Sequence, residues 1–302
     1  MPKMENSTAI SIIGAGKVGS TLALLLHRAG YRIVSVISRR KSSAKKLARL
    51  VGCRNYSDSI SDIAPAAGII QIAAPDDELS TIAEELAGCP SLDFSAVAAF
   101  HTSGSLTSDE LLPLKRKEAT TFSLHPIQTF SKSSTLSRQA AMMKNGFYGF
   151  EGPSAGLKIA RRLVRALNGS LVRIPKEEKI LYHIACVFAS NYLTSLLGTV
   201  EDLAVRVGGD LRLSHFKPLV RTSMENAFLQ SPAMALTGPV ARGSSRIVEL
   251  HLDVLQKTDK QIAELYRQIG LKSLSLAAAG KSLSPHAVKK LKRMLESHRS
   301  EK

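Results

Sequence analysis

Residues 8–21, Thr8-Ala9-Ile10-Ser11-Ile12-Ile13-Gly14-Ala15-Gly16-Lys17-Val18-Gly19-Ser20-Thr21, decide how the chain is read. A run of mostly apolar residues ends in a cluster of three glycines, after which Leu22, Leu25 and Leu26 recur at helical spacing. A short continuous apolar run suits a strand covered on both faces, as in a parallel sheet, and the glycines mark a tight passage from strand to helix. The alternation continues outward. Arg32–Ile37, Gly68–Ala73, Ser95–Phe100, Ala119–Ser123, Gly146–Glu151 and Ser170–Ile174 read as strands, and Lys41–Leu50 and Glu78–Ala87 as helices. Pro153 opens a further helix that Asn168-Gly169 closes, the usual order of start and stop signals. After Pro175 the pattern is helical throughout, over Glu177–Val207, Arg212–Gln230, Ser245–Ile269 and Pro285–Ser297. The expected fold class is α/β: a parallel-sheet domain over residues 1–174, then an all-helical domain over residues 175–302.

Composition narrows the function classes. The 302 residues are 44% hydrophobic and 22% charged, which excludes a disordered or fibrous chain. Cys53, Cys89 and Cys186 stand far apart with no C-x-x-C pair, so neither a disulfide framework nor a metal site is expected. No apolar run approaches the roughly 18 residues of a membrane span, and the short polar start leaves no room for a signal or transit peptide; a cytoplasmic location is expected. The net charge of +16 is spread over both halves and there is no Trp. That pattern suits attraction for small anions better than nucleic-acid binding, which uses basic grooves with stacking rings. The run Lys289–Arg293, with Arg299 and Lys302 beyond it, reads as a solvated helix face and tail.

The loop Gly14-Ala15-Gly16-Lys17-Val18-Gly19 matches the G-x-G-x-x-G pattern in the strand-to-helix setting that gives it meaning. The first two glycines permit the turn and the approach of a pyrophosphate, the third lets helix and strand pack closely, and the helix N-terminus offers N–H groups to the anion. After the second expected strand stand Ser38, Arg39 and Arg40 where an acid would select the ribose 2′-hydroxyl of NAD. A hydroxyl and two guanidinium groups suit a 2′-phosphate, so NADP(H) is the expected cofactor. Ala73-Ala74-Pro75 ends another strand and offers a small-residue turn for the cofactor's ribose.

Further along come His101-Thr102-Ser103-Gly104, Ser123-Leu124-His125-Pro126-Ile127-Gln128, Tyr182-His183, Ala189-Ser190-Asn191 and Thr237-Gly238-Pro239-Val240-Ala241-Arg242-Gly243. This set resembles a family of bacterial proteins that pair a Rossmann-like domain with an all-helical domain of the DUF2520 type. That family is similar in architecture to ketopantoate reductase, pyrroline-5-carboxylate reductase and other relatives of 6-phosphogluconate dehydrogenase. The resemblance implies an NADP-dependent oxidoreductase acting on a small anionic substrate. Ser244 follows Arg242-Gly243 where an acid is expected, a departure that weakens a role for that turn.

Candidate chemistry falls in three places. On the helix expected over Glu177–Val207, which is apolar on nearly every side, Lys179, His183 and Ser190 lie within about 60° of one another and Asn191 about 80° from His183, at about 100° per residue. His183, Asn191 and Lys179 are the candidate catalytic residues, with Ser190 beside them for the substrate; Lys179 either binds a carboxylate or reaches solvent. His101, Ser103 and Gly104 follow one strand at the edge where ligands collect, and His125 and Gln128 follow the next. Ser103, Gly104, His125 and Gln128 read as substrate-binding, and His101 as a cofactor neighbour or a cap of its own turn. Arg242 is a candidate carboxylate clamp. The leading reading is a ketopantoate-like 2-oxo acid reductase, with an imine reductase and a non-catalytic NADP-binding sensor as alternatives. The apolar surplus of the helical region suggests a homodimer.

Overall fold

The computed structural model describes residues 8–131, 133–280 and 283–296. They form two compact units that divide between Tyr192 and Leu193. The first holds β1 (Ala9–Ile13), α1 (Lys17–Arg28), β2 (Arg32–Ile37), α2 (Lys41–Leu50), β3 (Tyr56–Ser57), β4 (Ile69–Ile72), α3 (Leu79–Ala87), β5 (Ala98–His101), α4 (Leu112–Lys115) and β6 (Thr120–Pro126). It continues with α5 (Leu136–Met142), β7 (Phe147–Glu151), α6 (Ser154–Ala166), β8 (Ser170–Arg173) and α7 (Lys179–Val187), and ends in a π turn, Phe188–Tyr192. The eight strands make one sheet in the order β3-β2-β1-β4-β5-β6-β7-β8. The class is the α/β one expected from the sequence.

Strand alternation sends side chains to two faces and builds two cores. Ile10, Ile12, Phe100, Phe122 and Phe150 pack with Leu22, Leu26, Leu157 and Leu163 on one side. Ile13, Ile70 and Ile72 pack with Leu79, Ala83, Leu86 and Leu114 on the other. Phe100, Phe122 and Phe150, from neighbouring strands, form an aromatic row with ring centroids 5.3 and 5.8 Å apart. Such pairs add about 0.5–1.5 kcal/mol each beyond area burial. Gly156 of α6 leaves room for this row, since a Cβ there would lie 3.0 Å from the Phe122 ring.

Two strands run against the expected direction: β6 and β7 are antiparallel and β8 is parallel to β7, so β7 and β8 both oppose the other six. The segment between β6 and β7 does not cross the sheet. Its helix α5 packs on α1, with Thr21 Oγ1 donating to Gln139 Oε1 at 3.2 Å, so the chain re-enters at the edge it left.

The second unit contains α8 (Leu193–Val207), α9 (Lys217–Gln230), α10 (Pro232–Ala235), α11 (Ser245–Thr258), α12 (Lys260–Ala279) and α13 (Pro285–Glu296). Its core is Val248, Leu252, Leu274, Leu291 and Leu295. The single helix expected over Ser245–Ile269 is two, because Asp259 adopts an extended backbone and its carboxylate caps the N–H groups of Gln261 and Ile262. The second of them runs on to Ala279. Ser297, Arg299 and Lys302, which figured in the expected last helix and basic tail, lie outside the described residues.

The helical run after Pro175, apolar on nearly every side, is largely exposed where it begins. Within α7 only Lys179 is buried, while Ile180, Leu181 and Ile184, and Phe188 beyond them, are exposed. Apolarity on all sides predicts cover, but the described residues do not supply it. By length and composition alone, Lys176–Val207 is long and apolar enough to cross a membrane, with a mean hydropathy of 1.4 over its window. This corrects the expectation that no segment reaches that length.

Candidate functional site

The glycine loop leaves β1 at its C-terminal end, where Gly14 N–H donates to Ile37 O of β2 at 2.8 Å and Ala73 N–H donates to Ile13 O at 2.7 Å. Gly14 has φ +96°, and a Cβ there would lie 2.2 Å from Ala73 O. A Cβ at Gly19 would meet Gly14 O at 2.0 Å, so α1 packs against the loop at a distance only glycine allows. Around the Cβ position of Gly16, by contrast, 4 Å of space is open. Closed at the first and third positions and open at the second, the loop fits a phosphate against its backbone.

This loop forms one wall of a cleft of about 570 Å³. Gly14, Ala15 and Gly16 line it together with Ser38, Arg39 and Arg40 after β2 and Ala73, Ala74 and Pro75 after β4. Lys17 turns aside, its Nζ donating to Ser134 O at 2.7 Å, and Gly19 is consumed in packing. Folding also brings in acids that are distant in the sequence. Asp58, Asp77, Glu78 and Glu85 line the same cleft, Arg39 forms an ion pair with Glu78, and Lys41 lies 3.6 Å from Asp58. The absence of acids beside Arg39 in sequence is thus not an absence in space. Arg39 is 78% exposed, so this pair contributes little to stability.

A smaller cavity of about 230 Å³ is lined by Val18, Ala74, Asp76, Thr102, Ser103, Gly104, His125, Pro126, Gln128, Phe130 and His183. Ala74 belongs to both cavities, so they adjoin. Five of the expected catalytic and substrate-binding residues meet here: Ser103, Gly104, His125, Gln128 and His183. Ser103 is held in its own turn, its Oγ accepting from the N–H groups of Ser105 and Leu106. Asp76 accepts from Ser105 Oγ at 2.6 Å. Gly104 lets the two imidazoles close over the backbone: a Cβ would lie 2.7 Å from His183 Cδ2 and 2.9 Å from His125 Nε2. The rings stand edge to face, 6.4 Å apart.

Lys179 is neither in the cavity nor in solvent. It is 1% exposed and donates to Ser123 Oγ at 2.6 Å; that hydroxyl in turn donates to Ser103 O at 3.2 Å. Burial lowers its pKa to about 8 against the opposing pull of Glu151 and Asp76. Burial likewise lowers His125 to about 4, with Lys179 and His183 adding repulsion, so the His125 imidazole is neutral at pH 7.

Other expected site residues are placed elsewhere. His101 is fully buried, bonding Thr107 O through Nε2 at 2.9 Å and accepting the Ser103 N–H at Nδ1, so it organises the turn and lines neither cavity. Ser190 donates to Cys186 O and bonds Asn191 Oδ1, both at 2.8 Å, and neither residue lines the cavity. The π turn is the reason. Its wider winding breaks the 100° count on which His183, Ser190 and Asn191 shared a face. Arg242 belongs to the second unit and lines neither cavity. Three contributors were not read from the sequence: Tyr182, which bonds His125; Ser123, which receives Lys179; and Asp76 as a cavity wall. Tyr182 was in view beside His183, but nothing in spacing shows which strand it meets.

An α/β sheet unit carrying a glycine-loop cleft, followed by a helical unit, defines the class. Residues 4–126 match the Rossmann-like domain family, and residues 147–273 match a domain of unknown function, DUF2520. The two matches follow one another along the chain, the Rossmann-like domain first and the DUF2520 domain second. Among solved structures it is similar to a candidate NADP oxidoreductase, BF3122, from Bacteroides fragilis (23% identity, 89% of this chain and 99% of that one, TM-score 0.72). It is also similar to protein TM1727 from Thermotoga maritima (24% identity, 90% and 99%, TM-score 0.72). A more distant likeness is to an imine reductase from Myxococcus stipitatus in complex with NADP+ (17% identity, 95% and 100%, TM-score 0.58). These likenesses establish the fold. No curated protein matches the chain.

The buried His101 has a consequence for acid stability. Burial lowers its pKa from 6.5 to about 4, so below pH 6.5 the unfolded chain takes up a proton that the folded one refuses until about pH 4. Stability is therefore lost as pH falls through that window, on the order of 3 kcal/mol from this group, and His125 acts in the same sense. Denaturant unfolding at a series of pH values should show the loss, and His101→Gln should flatten it. An unchanged slope in the variant would contradict the assignment.

Proposed function

We propose that the protein is an NADPH-dependent reductase of a small 2-oxo acid, with ketopantoate the first substrate to test. The observation that carries this reading is the junction at Ala74 of a glycine-loop cleft with a small cavity holding two imidazoles. A bound nicotinamide dinucleotide would supply the hydride. Gly14, Ala15 and Gly16 would hold its pyrophosphate, and Ser38, Arg39 and Arg40 would meet the 2′-phosphate. In the cavity, a neutral imidazole of the His125/His183 pair would polarise the substrate oxygen, and the Ser103–Gly104 turn would hold the carboxylate. The buried Lys179 keeps that turn positively biased through Ser123. Asp76 favours a second reading, because a carboxylate on the cavity wall suits the cationic carbon–nitrogen double bond of an imine reductase.

NADPH oxidation followed against a panel of 2-oxo acids and cyclic imines separates the two readings. Oxidation by 2-oxo acids alone supports the first and by imines alone the second, while tight NADPH binding with no turnover identifies a non-catalytic sensor. Replacing Arg39 and Arg40 together by Ala should weaken NADPH binding by about tenfold or more, the equivalent of one lost charge-assisted contact, and leave NADH binding nearly unchanged. Equal losses for the two cofactors would remove the 2′-phosphate assignment.

The uncovered apolar residues support a homodimer. Ile180, Leu181 and Phe188 in the first unit, and Leu219, Phe228 and Leu229 in the second, are more than half exposed in the single chain. Apolar surface on this scale is usually covered by a partner. Light scattering at micromolar concentration should give twice the chain mass. A monomer, or recovery only with membranes, would overturn the proposal.

A further inference from the structure

We propose that Tyr182 is a positioning residue: its hydroxyl donates to Nδ1 of His125, fixes the Nε2–H tautomer, and so makes His125 the group that donates a hydrogen bond to the substrate in the small cavity. The role toward substrate rests on the reductase reading above; the tautomer lock does not.

Tyr182 Oη and His125 Nδ1 are 2.6 Å apart. That is shorter than the roughly 2.7–3.2 Å of an N–H donor to oxygen, which points to the phenol as the donor. Burial raises the Tyr182 pKa well above its ordinary value, so the phenol keeps its proton. A neutral imidazole carries one N–H; with Nδ1 accepting, that proton sits on Nε2. Nε2 is the nitrogen turned toward Gly104 and the cavity.

The phenol itself is held on three sides. Its tip lies on β7 at Gly149, where a Cβ would be 2.7 Å from Oη and 3.0 Å from Cζ. Its ring meets His125 edge to face at 5.7 Å. One turn along α7, the Cys186 thiol is the other polar neighbour, a weak partner beside an imidazole nitrogen. One turn back, Lys179 is anchored on Ser123, which sets the rotation of the helix and hence of Tyr182. His183 differs: among the described residues it makes the ring contact with His125 and no hydrogen bond that would choose its tautomer. Of the two imidazoles in the cavity, only His125 has its proton position determined by the protein.

Nitrogen NMR spectra of the full chain with isotope-labelled histidine test this directly, His125 being assigned by the signals lost in His125→Gln. The wild type should show a bare Nδ1 and a protonated Nε2 on His125. Tyr182→Phe keeps the ring over Gly149 and removes one oxygen; it should populate both tautomers, while Cys186→Ala leaves the wild-type pattern. Thermal unfolding confirms that each variant is folded. A protonated Nδ1 in the wild type, or an unchanged pattern in Tyr182→Phe, would overturn the lock. With a substrate from the panel, Tyr182→Phe should lower kcat by about tenfold or more, part of the 10²-fold or greater effect of a positioned donor, and leave the KM for NADPH unchanged. Unchanged kcat would overturn the substrate role. A locked tautomer in a protein that reduces nothing in the panel would sink the reductase reading and leave the lock standing.

Discussion

A buried ammonium group joins the start of α7 to the sheet. Lys179 Nζ donates to Ser123 Oγ, and Ser123 Oγ to Ser103 O, so one line of hydrogen bonds runs from a helix through β6 to the turn after β5. Placing that charge out of water is unfavourable and depresses its pKa. The compensation is geometric. With Lys179 fixed, the next turn of the helix brings Tyr182 onto His125 and His183 over Gly104. Each of these contacts requires the rotation that Lys179 sets.

The second constraint is steric and lies at the other end of the site. Gly14 and Gly19 bring α1 so close to β1 and the turn after β4 that no Cβ fits at either position. This places Val18 in the wall of the small cavity and Gly16 in the wall of the larger one. The two cavities adjoin because one turn, Ala73-Ala74-Pro75, passes between them. A glycine-loop cleft and a polar pocket are therefore positioned by backbone packing alone.

Electrostatically the two cavities differ. The larger mixes Arg39 and Arg40 with Asp58, Asp77, Glu78 and Glu85, and Arg39 meets the Glu78 carboxylate at the wall. The smaller contains His125, kept neutral by burial, together with His183 and the carboxylate of Asp76, and the Lys179 ammonium is set behind the turn. Neutral donors held in fixed orientation can polarise a substrate without the cost of reorganising solvent.

Local features carried much of this in the sequence. The apolar run before Gly14, the glycine spacing and the regular alternation to Ile174 define an α/β sheet, because strand period, helix period and turn chemistry are properties of neighbouring residues. The same holds for Ser103, Gly104 and His125, whose place at strand ends follows from chain order. What neighbours in sequence cannot express was decided by tertiary structure. The antiparallel return of β7 depends on α5 packing against α1. The separation of Ser190 and Asn191 from His183 depends on a π turn that no residue spacing announces. The burial of Lys179 depends on finding Ser123, the pairing of Arg39 on Glu78 from another strand end, and the orientation of His125 on a tyrosine 57 positions away. Each is a contact between segments whose meeting is chosen by the packed sheet as a whole, and hydrogen-bond partners over that range are set by three-dimensional proximity, not by pattern.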